Sequence, residues 1–521
     1  PVSKFDPRGF VPTGTTKFEK RGIAVNVPKW IPENCIMCNQ CSFVCPHACI
    51  RPFLATDAQL EGAPEGFVVK DAKIKGTEYQ YRMQLSPFDC TGCGNCADIC
   101  PSKEKALVMQ PVEQGIAEEA ANWEFAIDNI PVAKDVASDK NVKSSQFLQP
   151  LFEFSGACAG CGETPYVKLA TQLFGDRMLI ANATGCSSIY GGSAPTCPYT
   201  KNADGHGPAW ANSLFEDNAE FGYGMNLAML QRRAALKDNV KAALESGAAS
   251  GALADALTKW AADSNDADIT KETAAIIKAE LPAAIAAASG DAKAALEKID
   301  ADADLLVKKS VWIIGGDGWA YDIGYGGLDH VIAMGQDVNI LVLDTEVYSN
   351  TGGQSSKSTP TGAIAKFAAS GNRIKKKDLG AIAMTYGYVY VASVCMGADK
   401  NQLLKAMIEA ESYHGPSLIL CYAPCINHGI NMGKSQAEEK KAVESGYWPL
   451  YRYNPQLAEE GKNPFILDSK APTADYREFI MGENRYRSLA QQRPELAEEL
   501  FTKQEEEAKD RLEYYKKLTE M

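Results

Sequence analysis

The sequence predicts an α/β protein in which a small, cysteine-rich α+β region precedes a larger domain built on a parallel sheet. Residues 1–115 are rich in Pro and Cys and contain short strand-like pieces, such as Gly66–Val69 and Tyr79–Leu85. From about residue 150 onward, apolar strands alternate with amphipathic helices. Because parallel strands need a crossover connection, usually a helix, this alternation is typical of a parallel sheet.

Three apolar runs are the clearest strands of that sheet. Val311–Ile314 and Asn339–Leu343 are short runs that each end in polar turn residues. The segment between them, Trp319–Met334, is long enough for a crossover helix. Leu418–Tyr422 is predicted to be a further buried strand.

Length and charge restrict the class of protein. With 521 residues, 45% of them apolar, two or three domains are expected. The 53 basic against 66 acidic residues give a net charge of −13, which argues against nucleic acid as the main partner. The sequence has neither an apolar run of about 18 residues nor a secretory signal pattern, so no membrane association is predicted. A chain that starts at Pro1 is expected to be a piece of a longer protein.

Two segments look like helical additions to the main fold. Residues 228–306 are rich in Ala, Lys, Glu and Asp and contain no Cys or His, which indicates an inserted set of helices. Stretches such as Lys241–Glu245 and Asp291–Ile299 predict solvated helices there. The tail, Glu495–Met521, is predicted to be a charged helix that packs on the body or on a neighbour.

Sixteen cysteines are the compositional outlier, and their spacing indicates metal chemistry rather than disulfides. Two runs repeat the Cys-x2-Cys-x2-Cys-x3-Cys-Pro pattern of bacterial ferredoxins, in which the fourth Cys ligates the other cluster. Zinc knuckles, the alternative, use different spacings. The sequence therefore predicts a ferredoxin-like domain with two 4Fe–4S clusters, one held by Cys35, Cys38, Cys41 and Cys100 and the other by Cys90, Cys93, Cys96 and Cys45.

Further cysteines could hold a third metal site. Cys158 and Cys161 lie in a Gly-rich stretch, which favours a cluster or cofactor loop over a redox disulfide or half a zinc site. Cys186 follows another strand-like run, and Cys421 and Cys425 compete to be a fourth ligand. Cys425 is favoured because it follows the end of its strand, where ligands bind in α/β sheets. Spacing alone leaves the third cluster open.

Oxygen-rich loops follow two of the predicted strands. Gly315–Trp319 follows the first and Asp344–Gly353 the second, and both fall at carboxyl ends of parallel strands. Asp317 can supply a carboxylate to Mg²⁺, and the Thr345 hydroxyl and Val347 carbonyl can add oxygens. The flanking glycines let a diphosphate approach the helix N-terminus. A lone Gly-Asp-Gly is also an ordinary turn, so the interpretation depends on the second loop.

Taken together, these motifs resemble the C-terminal portion of the pyruvate:ferredoxin (flavodoxin) oxidoreductase family. The resemblance covers most of the chain outside the Ala-rich insertion and includes the segment Ala423–Gly429. It implies thiamine diphosphate and Mg²⁺ as cofactors, a third 4Fe–4S cluster, and Asn350 facing the substrate. Thr345 stands where the broader thiamine family usually has Asn. The implied third-cluster ligands are Cys158, Cys161, Cys186 and Cys425; the implied Mg²⁺ ligands are Asp317, Thr345 and Val347; the implied cofactor contacts also include Glu163, Cys186, Gly316, Gly318, Trp319 and Asn350.

The resemblance also implies an activity and partners. Pyruvate and coenzyme A would give acetyl-CoA and CO2, reversibly, with electrons passing through three clusters to ferredoxin or flavodoxin in an anaerobic cytoplasm. The glutamate that activates thiamine lies in an N-terminal portion in this family, so we expect the chain to need that portion within a homodimeric full enzyme. Residues 1–130 form the expected ferredoxin-like domain, 131–470 the thiamine-diphosphate-binding domain with its insertion at 228–306, and 471–521 a C-terminal helical extension.

Other readings remain open. The substrate could be a different 2-oxoacid, or the chain could be an electron-transfer subunit in which the Asp317 loop is only structural. A thiamine decarboxylase without redox chemistry is a third possibility.

His206 and His414 are expected to be structural, and His428 is the best of the three as an acid or base because it follows Cys425. Cys49, Cys197 and Cys395 are predicted to be buried thiols.

Overall fold

The structure, a computed structural model, describes residues 2–4, 6–7, 9–193 and 196–520. Within those residues thirteen strands form three sheets. In chain order the strands are β1 Asn26–Trp30, β2 Ile50–Ala55, β3 Lys70–Asp71, β4 Gln80–Leu85, β5 Leu107–Pro111, β6 Met178–Asn182, β7 Ala209–Asn212, β8 Ser310–Gly316, β9 Val338–Asp344, β10 Tyr390–Val394, β11 Pro416–Tyr422, β12 Tyr451–Tyr453 and β13 Phe465–Leu467.

The α-helices differ widely in length, from single turns beside the cysteine runs to long helices in the insertion and the tail. In chain order they are α1 Gln40–Phe43, α2 Asn95–Asp98, α3 Ile116–Asn129, α4 Val142–Ser145, α5 Thr164–Phe174, α6 Cys186–Ser188, α7 Asn218–Glu245, α8 Gly251–Ala262, α9 Ala267–Ala287, α10 Gly290–Ala301, α11 Tyr325–Ala333, α12 Leu379–Met384, α13 Lys400–Ser412, α14 Ser435–Glu444, α15 Pro455–Glu459, α16 Tyr476–Gly482, α17 Asn484–Gln492 and α18 Pro494–Leu518.

The largest sheet has eight strands in the order β13-β12-β10-β11-β9-β8-β6-β7. Six of them, from β10 to β7, run parallel, and helices connect them, so the predicted α/β fold is confirmed. The prediction missed the antiparallel edge: β12 pairs antiparallel with β10, and β13 pairs antiparallel with β12, each strand having three residues. Strands this short give little periodic signal.

The predicted crossover between β8 and β9 is helical but not continuous. A π-helical turn, Gly318–Ile323, comes first and α11 follows it. Gly324 separates the two, and a Cβ there would lie 2.3 Å from the Trp319 side chain. The break therefore lets Trp319 pack directly behind the loop that follows β8.

The N-terminal region forms a small α+β unit with two sheets, β1-β5 and β2-β4-β3. The prediction of a strand at Gly66–Val69 is wrong, because the strand begins at Lys70, directly after this segment, as β3, which pairs with β4 on the side opposite β2. Phe67 instead packs on Phe125 of α3, with ring centroids 5.0 Å apart, and the Arg82 guanidinium lies 4.4 Å from its ring. Arg82 also donates to the Val68 carbonyl, so a side chain occupies the backbone acceptor that pairing with a neighbouring strand would use.

The insertion is a four-helix unit, α7 to α10, with its own apolar core. It begins with α7 at Asn218, before the predicted start at 228, because the first turns of α7 cross the main sheet. Gly222 makes that crossing possible, since a Cβ there would lie 2.5 Å from Ile313 of β8. The core of the unit contains Leu236, Val240, Leu253, Leu257, Trp260, Ile277, Leu281, Leu296 and Ile299.

The tail packs on the body rather than standing apart. Tyr515 of α18 contacts Tyr451 of β12, with ring centroids 4.8 Å apart, and Phe501 contacts Tyr486 at 5.8 Å. Helices α16 to α18 thus share one core with the main sheet. Met521 lies outside the described residues. The division of the chain near residues 130 and 470 stays a prediction.

Among the described residues, no helix combines the length and apolar character needed to cross a bilayer.

We expect the insertion to depend on its own core. Trp260 is fully buried and its Nε1 donates to the Leu306 carbonyl at 2.6 Å. Trp260→Ala should destabilise the unit by about 3–5 kcal/mol because it leaves a cavity and an unpaired carbonyl. Hydrogen exchange of the α8–α10 amides measures this locally. Thr258→Ala, at an exposed position of the same helix, is the control, and equal protection in both variants would contradict the account.

Candidate functional site

The two ferredoxin-like runs line two separate cavities. Each cavity receives three thiols from one run and the fourth thiol from the other run. The first cavity is lined by Cys35, Cys38, Cys41 and Cys100, and the second by Cys45, Cys90, Cys93 and Cys96. This is the grouping that crossed ligation requires. Four thiols around a small, mostly apolar cavity are donors suited to an iron–sulfur cluster rather than to Mg²⁺ or Ca²⁺.

The backbone repeats between the two runs. Met37 and Gly92, each two residues after the first Cys of its run, have φ of 57° and 70°, and their amides donate to the preceding Sγ at 3.4 and 3.3 Å. Asn39 and Gly94 are both left-handed, and each begins the short helix that carries the third Cys. Gly92 cannot be larger, because a Cβ there would lie 2.7 Å from the Asn26 carbonyl.

Cys49 shares the second cavity, which its spacing did not indicate. It is buried, and its amide donates to Cys45 Sγ at 3.4 Å. Its own thiol donates to the Asp89 carbonyl at 3.0 Å. Cys49 therefore lies beside the cavity with its thiol already engaged by the backbone.

Cys158, Cys161, Cys186 and Cys425 form a third group of neighbouring thiols. Burial, followed by the charges of Glu163, Cys425 and Cys158, raises the pKa of Cys186, and burial, Glu163 and Cys425 raise that of Cys161, so the four thiols are within electrostatic range of one another. Gly162 presses against Pro424: its amide donates to the Pro424 carbonyl at 3.1 Å, and a Cβ would lie 2.6 Å from the Pro424 nitrogen.

Cys421, the rival fourth ligand, lies elsewhere. It is fully buried within β11, and its pKa is raised by burial and by Glu439 and Asp344 rather than by the third group of thiols. The structure brings Cys425 to that group and leaves Cys421 in the core.

A cavity opens at the carboxyl edge of the main sheet, beside Cys186. It is closed on one side by Phe215 and Tyr348, whose rings lie 5.5 Å apart. Glu163 contributes a buried carboxyl that accepts from Tyr190 at 3.0 Å, and burial raises its pKa to about 7. The lining includes Glu163, Gly185, Cys186, Gly316, Asp317, Gly318, Trp319, Val347, Ser349 and Asn350.

Three oxygens meet below this cavity in a spacing that suits Mg²⁺. The Thr345 Oγ1 lies 3.1 Å from Asp317 Oδ1 and 3.0 Å from the Val347 carbonyl. Neighbouring ligands of an octahedral Mg²⁺ with bonds of about 2.0–2.1 Å are about 2.9 Å apart. Carboxylate, hydroxyl and carbonyl oxygens are also the ligands that this ion prefers. The residues present therefore fit the ion.

Glu346, between two of these ligands, has a left-handed backbone with φ of 60°, which is unfavourable for a residue with a side chain. Buried ion pairs hold it there: Oε1 accepts from Lys376 at 2.9 Å and Oε2 from Arg485 at 2.6 Å. Tyr447 also donates to Oε2 at 2.6 Å. Burial alone would raise the pKa of Glu346, but Lys376 and Arg485 lower it to about 2, so the carboxylate stays charged.

The histidines do not line this cavity. His428 is buried behind the loop that follows β9 and carries the candidate Mg²⁺ ligands Thr345 and Val347, where its Nε2 donates to the Thr345 carbonyl at 2.8 Å. Burial and the Arg485 charge lower its pKa to about 3, so it stays neutral. His414 is on the surface near Asp337, and His206 is exposed in a loop.

Comparison with known proteins supports both halves of this arrangement. A 4Fe–4S dicluster domain matches residues 34–104, and a thiamine pyrophosphate enzyme C-terminal TPP-binding domain matches residues 257–421. Over 100% of its length the chain is 67% identical to a pyruvate:ferredoxin oxidoreductase of Moorella thermoacetica, and over 99% it is 56% identical to a pyruvate-flavodoxin oxidoreductase of Enterobacter agglomerans.

The chain belongs to the pyruvate:ferredoxin oxidoreductase family. It spans 44% of the length of each of those two relatives, so it corresponds to less than half of either protein. It also covers 28% of a mitochondrial pyruvate dehydrogenase [NADP(+)] of Euglena gracilis, at 50% identity over 100% of this chain.

Several residues around the site of this family member had no sequence signal. Glu346, Lys376 and Arg485 are far apart in the chain and carry no motif, although a charged residue buried beside a predicted metal ligand is a recognisable candidate once its neighbours are known. Phe215 and Tyr190 are ordinary aromatic residues in sequence. Tertiary packing of separate loops and helices brings these side chains to the site.

Crossed ligation predicts different outcomes for two buried cysteines of one cavity. Cys45→Ser should lose one cluster and lower the iron and acid-labile sulfide content by about a third. Cys49→Ser, the matched control, should keep the full content because its thiol is engaged by the Asp89 carbonyl. Equal losses in both variants would contradict the grouping.

The ion pairs of Glu346 should matter for both stability and metal binding. Glu346→Gln removes one of the two buried carboxylate partners of both Lys376 and Arg485, which keep Asp344 and Glu483 respectively, and should destabilise the domain by about 1–3 kcal/mol. Calorimetric titration should also show weaker Mg²⁺-dependent binding of thiamine diphosphate. Lys357→Met, which removes only a partly exposed ion pair with Asp322, should change stability by about 0–1 kcal/mol. Unchanged Mg²⁺ affinity in Glu346→Gln would show that the ion pairs of Glu346 do not position the neighbouring ligands Thr345 and Val347.

Proposed function

We propose that the chain is the cofactor-holding and electron-exporting part of an enzyme that converts pyruvate and coenzyme A to acetyl-CoA and CO2. Per pyruvate, two electrons leave to two molecules of a one-electron acceptor such as ferredoxin or flavodoxin, and one proton is released. The observation that carries the proposal is the position of Cys186, one of the third group of thiols, in the lining of the cavity that contains Asp317. A decarboxylase without redox chemistry has no use for such a neighbour.

In this proposal the chain binds thiamine diphosphate through Mg²⁺ held by Asp317, Thr345 and the Val347 carbonyl. The cofactor supplies a carbon nucleophile and a sink for the electrons released on decarboxylation. Trp319 and Phe215 exclude water from the cavity, and Asn350 lies in the lining where a substrate carbonyl or carboxylate could accept from its amide. Glu163, with a pKa raised to about 7 by burial, can hold a proton at the cavity wall.

The clusters would form a series. Cys158, Cys161, Cys186 and Cys425 would hold the one beside the cofactor, and the two ferredoxin-like cavities would hold the others. Burial raises the pKa of Cys93 and the Gly160 amide partly opposes this, and His47 Nε2 donates to the Ala157 carbonyl at 3.0 Å. These contacts join the third thiol group to the second cavity, which supports an order from the third group through the second cavity to the first.

The rest of the enzyme belongs to the proposal as well. We expect an N-terminal portion to supply the thiamine-activating glutamate and the substrate contacts, in a homodimer located in the cytoplasm, and we expect the reaction to be reversible. A different acceptor is the main alternative for the electrons, because the Euglena relative carries NADP(+) in its name. A different 2-oxoacid is the main alternative for the substrate.

Anaerobic spectroscopy of the whole enzyme tests this function. Pyruvate with coenzyme A should bleach the visible absorbance of the oxidised clusters and reduce added ferredoxin. Asp317→Asn should abolish both effects and the bound thiamine while keeping the iron and sulfide content. Iron and sulfide without thiamine in the unmodified enzyme would indicate an electron carrier, and bleaching with 2-oxoglutarate but not with pyruvate would indicate another oxoacid.

A further inference from the structure

Lys168 reaches out of the thiamine-binding domain into the ferredoxin-like domain. It lies on α5, seven positions after Cys161, and it is 1% exposed. Its Nζ donates to the Phe43 carbonyl at 2.9 Å and to the Ser42 carbonyl. Those two residues end α1, the helix that carries Cys41, and Cys45 is two positions after Phe43. The ammonium therefore lies beside one candidate ligand of each ferredoxin-like cluster.

This ammonium has no carboxylate partner among the described residues, where its hydrogen-bond acceptors are backbone carbonyls. The nearby Arg51 is already paired with Glu153. Burial lowers the pKa of Lys168 to about 8, and the thiolates of Cys45 and Cys41 act in the opposite direction. A buried charge is costly unless an opposite charge compensates it. The candidate compensating charge is that of the clusters.

A 4Fe–4S cluster held by four thiolates carries a net negative charge, and its reduction adds one more. A fixed cation in a low-dielectric surrounding stabilises the reduced form more than the oxidised form. Net charge is one of the factors that set the reduction potential of such clusters. A lysine whose charge is neither screened by solvent nor paired with a carboxylate is well suited to this role.

We propose that Lys168 sets the reduction potentials of the two ferredoxin-like clusters, and that its ammonium raises both by stabilising the reduced states. The proposal rests on the two-cluster assignment made above. Because Lys168 belongs to the thiamine-binding domain, the potentials depend on the docking of the two domains. The ferredoxin-like domain alone would have lower potentials than it has in the intact protein.

Potentiometric titration of the intact holoenzyme, followed by electron paramagnetic resonance, tests the proposal. Lys168→Met and Lys168→Gln should lower the midpoint potentials of both ferredoxin-like clusters. At the wild-type midpoint the ratio of reduced to oxidised cluster should fall about tenfold, which is about 59 mV for a one-electron couple. Lys168→Arg should keep the wild-type potentials, and the third cluster should change least.

Lys308→Met is the matched control, because Lys308 is also mostly buried, with its side chain 13% exposed, but pairs with Asp337 at 3.1 Å. It should leave all potentials unchanged. Unchanged potentials in both Lys168→Met and Lys168→Gln would overturn the proposal, and so would cluster loss in all three Lys168 variants, Arg included. Cluster loss in Lys168→Met and Lys168→Gln, with the clusters retained in Lys168→Arg, would support the proposal, because it would show that the clusters depend on a positive charge at this position. A wild-type enzyme without the two clusters would refute the proposed function instead.

Discussion

The candidate site depends first on the parallel pairing of β6, β8, β9 and β11. Parallel strands all end at one edge, and the pairing register keeps their ends level: Gly316 lies opposite Leu343, and Asp344 lies opposite Tyr422. The loops that begin at Gly185, Asp317, Thr345 and Pro424 therefore leave the sheet side by side. Thiols and oxygens that are up to 239 positions apart, as Cys186 and Cys425 are, meet only because of this register.

A second requirement is charge compensation behind that edge. Asp344, Glu346 and Glu483 are buried, and each pairs with Lys376 or Arg485. Asp317 has no such ion pair within the described residues: it accepts from Thr345 and Ser356, and burial together with the Asp344 charge raises its pKa well above the usual range, so its charged form depends on a cation at the site. Arg485 comes from α17 and pairs with Glu346, which lies between the candidate Mg²⁺ ligands Thr345 and Val347. The C-terminal helices therefore supply a positive charge to this loop, although they lie away from the cavity.

Sequence reasoning succeeded where chemistry is local. The two ferredoxin-like runs carry their geometry in their spacing, and strands β8, β9 and β11 stand out as apolar runs with polar ends. It failed where tertiary contacts decide. The segment around Phe67 has strand-like composition, yet its aromatic ring packs on α3, and the short strands β12 and β13 have no periodic signal. Gly222 and Glu346 carry no motif at all, since their importance comes from a close helix crossing and from ion pairs with distant residues.

The central claim is that one chain holds three clusters, with the third at the wall of the thiamine cavity. Spin integration of the fully reduced holoenzyme by electron paramagnetic resonance tests this most directly, with Cys425→Ser and Cys421→Ser compared in parallel. The account predicts three interacting centres in the wild type and in Cys421→Ser, and two in Cys425→Ser. Two centres in the wild type, or a loss in Cys421→Ser with none in Cys425→Ser, would contradict it.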